Sequence, residues 1–422
     1  MSLTTNSRSR TSEYFVSQGD ETQAPLRGVT VVDMTTSYAG PTATMYLADL
    51  GADVIKVERP GSGDDCREWG PPFRDGWSAW YVSANRNKRS ICLDISSEEG
   101  RALLDRLLAR ADVFVQSLNP SKLRRLHLHP EQIRSSHPHL IYCAISGFGL
   151  TGEDQALPGY DLIAQARSGL MSVTGEAGGM PQRVSTALSD IATGITAALA
   201  ISAALVGRGS SPAGRTIDVS LLDVDLALMA PRIAAFSAGD PEPYPSGATD
   251  SVLAIYQTFE TADRPIVVAV GNDRMWQKLC ALVDLGELAG DSGFLTNEGR
   301  RQHRVDIVAK LQSVLVRRTA AEWIGLLTAG GIPVSPINFL SDVVNDPHVR
   351  SRKSITTIDI DGAGPFSVVN HPWRLDGTTT AHRAPKRLGE DTDEVLRWVG
   401  VDDAEIEEFT RAGVVWQHEF AK

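Results

Sequence analysis

Apolar, β-branched runs alternate with helix-forming segments through the first third of the chain, and this alternation constrains the fold most strongly. Val29–Met34 and Val54–Val57 have the composition of strands, and Gly40–Gly51 between them is typical of a short helix that ends on a glycine. Strand, helix and strand at this spacing predict a parallel, doubly wound sheet, and therefore an α/β fold. The pattern continues with helices predicted at Glu98–Arg110 and Pro130–Ser136 and strands at Asp112–Gln116 and Leu140–Ser146.

The length of 422 residues predicts two domains, because a single hydrophobic core rarely serves so long a chain. Residues 1–24 are rich in Ser, Thr, Arg and Gln and are predicted to be a disordered tail. An Ala- and Gly-rich helix is predicted at Ser185–Leu205, and one long helix at Leu221–Ala238. The Pro/Gly/Ser-rich break that follows marks the start of a smaller α+β domain, which we place at residues 237–331.

Composition excludes several classes of protein. Lys plus Arg is 41 and Asp plus Glu is 52, and the resulting net charge of −11 argues against binding to nucleic acid. The longest apolar run, Ile191–Val206, is rich in Ala, Gly and Thr, so we expect no membrane span. Cys66, Cys92, Cys143 and Cys280 form no close pair, which favours a reducing, cytoplasmic location over a disulfide framework.

Basic residues form two local groups on this acidic chain. Arg86, Lys88 and Arg89 make one group, and Lys122, Arg124 and Arg125 make the other. Such groups are either solvated surface charge or a rim that recognises phosphate, since a guanidinium contacts two phosphate oxygens at once. The pairs of histidines at 127/129 and 137/139 are interpreted as surface loop residues, and no metal site is predicted.

A series of motifs, in order along the chain, resembles family III CoA-transferases, which have the α-methylacyl-CoA racemases as relatives. The resemblance covers Leu26 to Gly400. The motifs are Leu26–Thr35, Ala39–Pro41, Leu47–Gly61, Asn87–Asp94, Ile145–Gly149, Pro158–Asp161, Ser168–Gly175, Ile217–Asp223, Gly271–Trp276 and Leu388–Leu396.

The resemblance implies a Rossmann-like large domain built from both chain ends, here residues 25–236 and 332–422, beside the smaller domain. It also implies an interlocked homodimer and coenzyme A as the ligand, in the form of an acyl-CoA substrate, with no metal. The CoA contacts that it places on this chain are Tyr38, Ala39, Arg59, Leu93, Ser96, Ser117, Asn119, Arg125, Ser146 and Phe148.

The family's reaction begins with an aspartate that attacks the acyl-CoA thioester. The resulting mixed anhydride becomes an enzyme-bound thioester, and CoA passes to an acceptor carboxylic acid. An ungapped match puts Gly178 at the position of that nucleophile, so the sequence leaves Glu176, two residues upstream, and Asp190 as candidate catalytic residues. Asp190 also matches an aspartate of the racemases, whose partner histidine is replaced by Tyr160.

Three functional alternatives follow from these departures. The first is CoA transfer from an acyl-CoA to a small carboxylic acid by a substitute carboxylate. The second is another acyl-CoA reaction, namely racemisation or epimerisation, elimination (a lyase) or thioester hydrolysis. The third is a non-catalytic, CoA-binding subunit that pairs with a paralogous, active partner. CoA transfer is the function that we predict.

Overall fold

The computed structural model describes residues 24–210, 213–377 and 382–417. Most of residues 1–24, the predicted tail, lie outside these ranges. The described residues divide into two compact units: unit 1 takes residues up to 168, 185–229 and those from 351 onward, and unit 2 takes 169–184 and 230–350. Residues 169–184, which we expected in the large domain, group with unit 2, where the Gly247 N–H donates to the Gly175 carbonyl oxygen at 2.9 Å.

The strands follow the apolar runs of the sequence. They are β1 Thr30–Met34, β2 Asp53–Glu58, β3 Phe73–Arg74, β4 Trp77–Ser78, β5 Lys88–Leu93, β6 Val113–Gln116, β7 Ile141–Ser146, β8 Thr216–Ser220, β9 Tyr256–Phe259, β10 Ile266–Ala269, β11 Val334–Pro336, β12 Ile355–Ile360, β13 Gly364–Val369 and β14 Val415–Trp416.

Unit 1 contains a seven-stranded sheet in the order β14-β5-β2-β1-β6-β7-β8. All neighbouring pairs are parallel except β14, which runs antiparallel to β5. The mixed α/β fold with a mostly parallel sheet agrees with the prediction, and the strand from the C-terminal region shows that both parts of the chain build it. The strand order reverses between β1 and β6, and such a reversal opens a crevice at the carboxyl ends of the strands.

The helices are α1 Ala39–Asp49, α2 Ala79–Ala84, α3 Glu98–Arg110, α4 Pro120–Arg125, α5 Pro130–Ser136, α6 Asp161–Arg167, α7 Leu188–Gly207, α8 Leu221–Leu228, α9 Ala230–Ser237, α10 Asp273–Leu282, α11 Gly286–Gly290, α12 Asn297–Gln302, α13 Arg304–Leu315, α14 Ala320–Ala329, α15 Leu340–Val343, α16 Pro347–Ser351, α17 Thr392–Trp398 and α18 Asp403–Arg411.

The expected single helix at Leu221–Ala238 is two helices, α8 and α9. The reason is Pro231: it lacks a backbone N–H and disfavours helical geometry at the residue before it. Unit 2 places α10, α13 and α14 around the antiparallel sheet β11-β10-β9, with Trp276 and Trp323 buried in its core.

Helix α7 packs along α1 and beside β7 and β8 in unit 1. A Cβ atom at Gly194 would lie 2.8 Å from the Ala39 carbonyl oxygen, so only glycine permits this close approach of α7 to α1. By length and composition α7 could cross a membrane, contrary to our reading of Ile191–Val206. Its buried side chains, among them Thr193 and Ile201, instead belong to the core between α1 and the sheet.

Candidate active site

A cavity of about 810 Å³ lies in unit 1 where the strand order of the sheet reverses. Its walls are formed by the carboxyl ends of β1, β2, β5, β6 and β7 and by the residues that follow them. This is where doubly wound sheets bind their ligands, and the volume suits a cofactor-sized molecule. The order of strands therefore accounts for the position of the site.

Eight of the ten predicted CoA contacts line this cavity. They come from five separate regions of the sequence, which the sheet brings to one edge. They are Ala39, Arg59, Leu93, Ser96, Ser117, Asn119, Arg125 and Ser146.

Tyr38 and Phe148 are not among the lining residues. The Tyr38 ring packs edge-on against Trp80, with 5.4 Å between the ring centroids, and its hydroxyl lies 2.9 Å from the Ser83 hydroxyl. The Phe148 ring lies under the Arg167 guanidinium, 5.0 Å from its carbon. Both aromatic rings thus support the neighbouring loops of unit 1.

Three cations meet at the part of the cavity formed by β2 and α4. Arg59 is about half exposed, donates from Nε to the Gly63 carbonyl oxygen at 3.1 Å, and pairs with Asp65. Burial, together with the neighbouring charges of Arg59 and Arg125, lowers the pKa of Lys122. An anionic ligand would relieve this repulsion, as a phosphate-bearing cofactor does.

Two loops of the cavity wall touch through glycines. A Cβ at Gly147 would lie 2.5 Å from the Gly159 Cα, so neither position accommodates a side chain. Gly147 follows the Ser146 end of β7, and Gly159 precedes Tyr160; all four line the cavity. The sequence motifs around both glycines thus have a steric cause.

Asp190 is the acidic residue of α7 in this wall. It sits in the first turn of the helix and is partly exposed. No described residue donates a hydrogen bond to its carboxylate oxygens, while its backbone N–H lies 3.4 Å from Asp161 Oδ1. Its carboxylate is therefore available to a ligand.

The pKa of Asp190 is far from that of an ordinary aspartate. Burial, and after it the charges of Asp161 and Asp225, raises the pKa of Asp190 to about 7. A carboxylate of this basicity is a stronger nucleophile and a stronger general base than an exposed one, and a large fraction of it is ionised at neutral pH.

Asp161 is the first residue of α6, and its carboxylate bonds to neighbouring elements and does not cap its own helix. The N-cap is Tyr160, and the Asp161 carboxylate accepts the Ser189 N–H at 2.8 Å and the Gln165 side-chain amide at 2.7 Å. It thereby ties the start of α7 to α6.

Glu176 and Gly178 belong to the 169–184 segment of unit 2 and are not among the residues that line the cavity. Glu176 is exposed, and Gly178 has a φ of +70°. Of the two candidate catalytic residues, Asp190 is the one that the structure places in the cavity.

Several lining residues were not assigned to the site from the sequence. Lys122 could have been found from the sequence, because it belongs to one of the two basic groups. Gln155 and Leu157 lie between two motifs and belong to neither. Gly413 lies after α18, and nothing local marks it.

Comparison with known proteins gives a consistent result. The model of CoA-transferase family III matches residues 26–392. Over 397 residues the chain is 39% identical to succinyl-CoA:glutarate CoA-transferase of Homo sapiens, covering 94% of this chain and 91% of that protein. It is 36% identical to succinate–glutarate CoA-transferase of Agrobacterium fabrum, covering 88% and 95% respectively.

A solved structure agrees with the fold. The crystal structure of a CAIB/BAIF family protein from Brucella suis superposes with a TM-score of 0.78 at 35% identity, covering 89% of this chain and 99% of that one.

Proposed function

The chain belongs to CoA-transferase family III and is a CoA-transferase that acts on an acyl-CoA thioester, and we propose that Asp190 is its nucleophile. The position of Asp190 in the cavity carries this proposal. Its raised pKa supports it, because a basic carboxylate attacks a thioester carbonyl more readily.

In the proposed reaction an Asp190 oxygen bonds to the thioester carbonyl carbon, the C–S bond breaks, and CoA leaves as a thiolate. The thiolate attacks the Asp190 carbonyl of the mixed anhydride, which releases the first acid and leaves CoA on Asp190 as a thioester. An acceptor carboxylate reverses these two steps. The electron pair moves between sulfur and oxygen at each stage, and no metal or redox step is required.

We propose dicarboxylic acids, succinate and glutarate among them, as the acids exchanged. The support is the names of two relatives that the chain matches over most of its length. The test is a panel of acceptors with succinyl-CoA as donor: glutarate, a dicarboxylate, should be faster than the monocarboxylates butyrate and valerate. Equal rates for both classes would contradict this substrate assignment.

The nucleophile is tested by intact-mass analysis after incubation with succinyl-CoA. Wild type should form an adduct that maps to Asp190, and Asp190→Asn should form none and lose at least about a thousandfold in turnover. Glu176→Gln is the matched control and should retain the adduct. An adduct on Glu176, or normal turnover by Asp190→Asn, would contradict the proposal.

Gly178→Asp tests the alternative in which Gly178 replaces the nucleophile. No heavy atom lies within 4 Å of a Cβ built at Gly178, but the left-handed backbone costs an aspartate about 1 kcal/mol or more. If Asp190 is the nucleophile, this variant should gain no activity. A large gain would instead support the replacement.

The cations at β2 and α4 are proposed to bind the CoA phosphates. Arg59→Ala and Arg125→Ala should each weaken CoA binding by about 1.5–3 kcal/mol, the scale of a hydrogen bond to a charged group. Calorimetry measures the affinity, with Arg124→Ala as control, since Arg124 is exposed and outside the lining of the cavity. Unchanged affinity in both variants would remove this orientation of CoA.

We also propose an interlocked homodimer in the cytoplasm. Unit 1 is built from segments on both sides of unit 2 in the sequence, and α7 exposes Ile195 and Leu199. All four cysteines are free and buried, which suits a reducing compartment. Sedimentation at low concentration should show no folded monomer; a stable monomer, or a complex only with a paralogous chain, would contradict the homodimer.

A further inference from the structure

Three carboxylates from three helices of unit 1 meet at the first turn of α7. We call them the acid cluster: Asp161 on α6, Asp190 on α7 and Asp225 on α8. Ser189 connects them, because its N–H donates to Asp161 Oδ1 at 2.8 Å and its Oγ lies 2.7 Å from Asp225 Oδ2. Asp225 does not line the cavity, so it lies behind the proposed nucleophile.

Asp225 is fully buried, and its second oxygen, Oδ1, makes no hydrogen bond within the described part of the chain. An ionised carboxylate with a buried, unsatisfied oxygen is costly, whereas a neutral carboxyl tolerates this far better. Burial and the charge of Asp161 raise the pKa of Asp225, although the Ser189 hydroxyl opposes them. The charge of an ionised Asp225 in turn raises the pKa of Asp190.

A protonated Asp225 fits the hydrogen bonds of the cluster. Ser189 Oγ lies 3.4 Å from the Asp161 carbonyl oxygen as well as 2.7 Å from Asp225 Oδ2. The serine hydroxyl can donate to that carbonyl and accept a hydrogen bond from a protonated Asp225. Asp225 is thus neutral in part of the molecules, and its ionised form repels the Asp190 carboxylate.

No cation offsets the acid cluster among the described residues. The charges that act on Asp190 are those of Asp161 and Asp225 alone. Helix α7 has no other charged residue, and α1 offers only Asp49, which pairs with Arg86 at 2.5 Å. Strand β8 contributes Asp218 and α8 contributes Asp223, both acidic, and the one cation of α6, Arg167, is paired with Asp154.

We propose that Asp225 is a positioning residue for CoA transfer. It lies behind Asp190 and is linked to it through Ser189, and its negative charge favours the acylation of Asp190, in which the Asp190 carboxylate loses its charge. This inference rests on the proposed role of Asp190. The C–O bond that forms at Asp190 makes its carboxylate neutral, and the thiolate carries the charge away. Repulsion within the cluster is relieved at that step, so the cluster lowers the barrier to attack.

The test is the pH profile of kcat/KM with succinyl-CoA and glutarate. Wild type should show an acid limb with a midpoint near the pKa of Asp190, about 7. Asp225→Asn removes the neighbouring acid and leaves the size and shape of the side chain nearly unchanged. It should move the midpoint down by roughly one pH unit and slow the plateau rate about three- to tenfold, because a less basic carboxylate attacks more slowly.

Asp223→Asn is the matched control. It removes a carboxylate from the same helix, where Asp223 is exposed and accepts from the Ser220 hydroxyl at 2.6 Å, and it should leave the profile unchanged. A folded Asp225→Asn with an unmoved midpoint would overturn the proposal, as would a uniform loss of rate at every pH, which indicates a merely structural role.

Asp225→Ser, a smaller neutral replacement, serves if the asparagine variant does not fold. The wild-type profile is itself decisive: an acid limb with a midpoint below about pH 5 would overturn the proposal even without a variant. Mapping the adduct tests the role of Asp190 separately from the role of Asp225. An adduct on another residue defeats the nucleophile assignment, whereas an adduct on Asp190 with an unmoved midpoint defeats only the role of Asp225.

Discussion

Unit 1 contains two groups of buried carboxylates that differ in their counter-charges. In the paired cluster, which comprises Asp33, Lys56, Glu58, Asp64, Arg67 and Lys88, every acid faces a cation. Burial disfavours the charge of Asp33, yet Lys88, Lys56 and the hydroxyls of Thr35 and Thr44 outweigh it and lower its pKa to about 2. In the acid cluster burial meets no such compensation, and the pKa of Asp190 rises to about 7.

The difference shows that burial alone does not decide whether a carboxylate is structural or reactive. In the paired cluster Lys56 Nζ lies 2.8 Å from Asp64 Oδ2 and donates to the Thr35 carbonyl oxygen at 2.9 Å, which fixes the loops after β1 and β2. The acid cluster keeps its repulsion until a substrate removes one charge. Unit 1 thus contains both a charge-paired cluster that stabilises the fold and an unpaired cluster that makes Asp190 reactive.

Breaking the paired cluster should have the largest effect on stability. Lys56→Met leaves buried carboxylates without their cation and should lower the free energy of unfolding by about 3–5 kcal/mol. Urea denaturation measures the change. The control is Arg397→Met, which removes an exposed pair with Asp403 and should change stability far less. Equal effects of the two variants would mean that the paired cluster is not structural.

Relieving the acid cluster should stabilise the protein in a pH-dependent way. The unfolded chain releases the Asp190 proton near pH 4 and the folded chain near 7, so wild-type stability falls as the pH rises between these values. Asp190→Asn should match wild type below about pH 4 and exceed it by up to about 4 kcal/mol above pH 7. Denaturation across this range checks the slope; a pH-independent difference would contradict the raised pKa.

Asp33 should show the opposite slope. Its folded pKa of about 2 lies below the ordinary value, so its contribution is complete above about pH 4 and is lost as the pH falls towards 2. Asp33→Asn should cost about 2 kcal/mol at neutral pH, and this cost should vanish at pH 2. A cost that persists at pH 2 would assign the loss to packing instead.

The smallest effect is expected where the acid cluster is joined to its helix. Ser189→Ala removes the hydroxyl at 2.7 Å from Asp225 and should lower the free energy of unfolding by about 1–2 kcal/mol. Ser202→Ala is the control on the same helix, since the Ser202 hydroxyl bonds to no residue of the described part of the chain, and it should be within about 0.5 kcal/mol of wild type. Equal stabilities for both variants would remove Ser189 as the link.

The sequence predicted the sheet well because its strands are apolar, β-branched and separated by glycines. The strands predicted at Asp112–Gln116 and Leu140–Ser146 each begin one residue before β6 and β7 and end at the same residues. Pro231 could also have predicted the end of α8, but the helical periodicity on both sides of it led to the prediction of one long helix.

The candidate site was readable in part. Motifs placed Arg59 and Ser146, since each follows or ends a predicted strand and therefore reaches the edge where the cavity opens. The sequence could not show which of Asp190 and Glu176 is the more reactive carboxylate, because the acids that raise the pKa of Asp190 come from other helices. The partnerless oxygen of Asp225 is likewise a property of packing that no local pattern records.

Strand β14 has a consequence for how the protein is made. Val415 and Trp416 close the edge of the sheet beside β5, and between them and β5 the ribosome must synthesise all of unit 2. Until then the nascent chain presents the open edge of β5 to other strands, a template for aggregation. Since Leu93 of β5 and Gly413 both line the cavity, the binding site is complete only after Gly413 has been synthesised. We therefore expect this edge of the sheet to need protection while the chain is being synthesised.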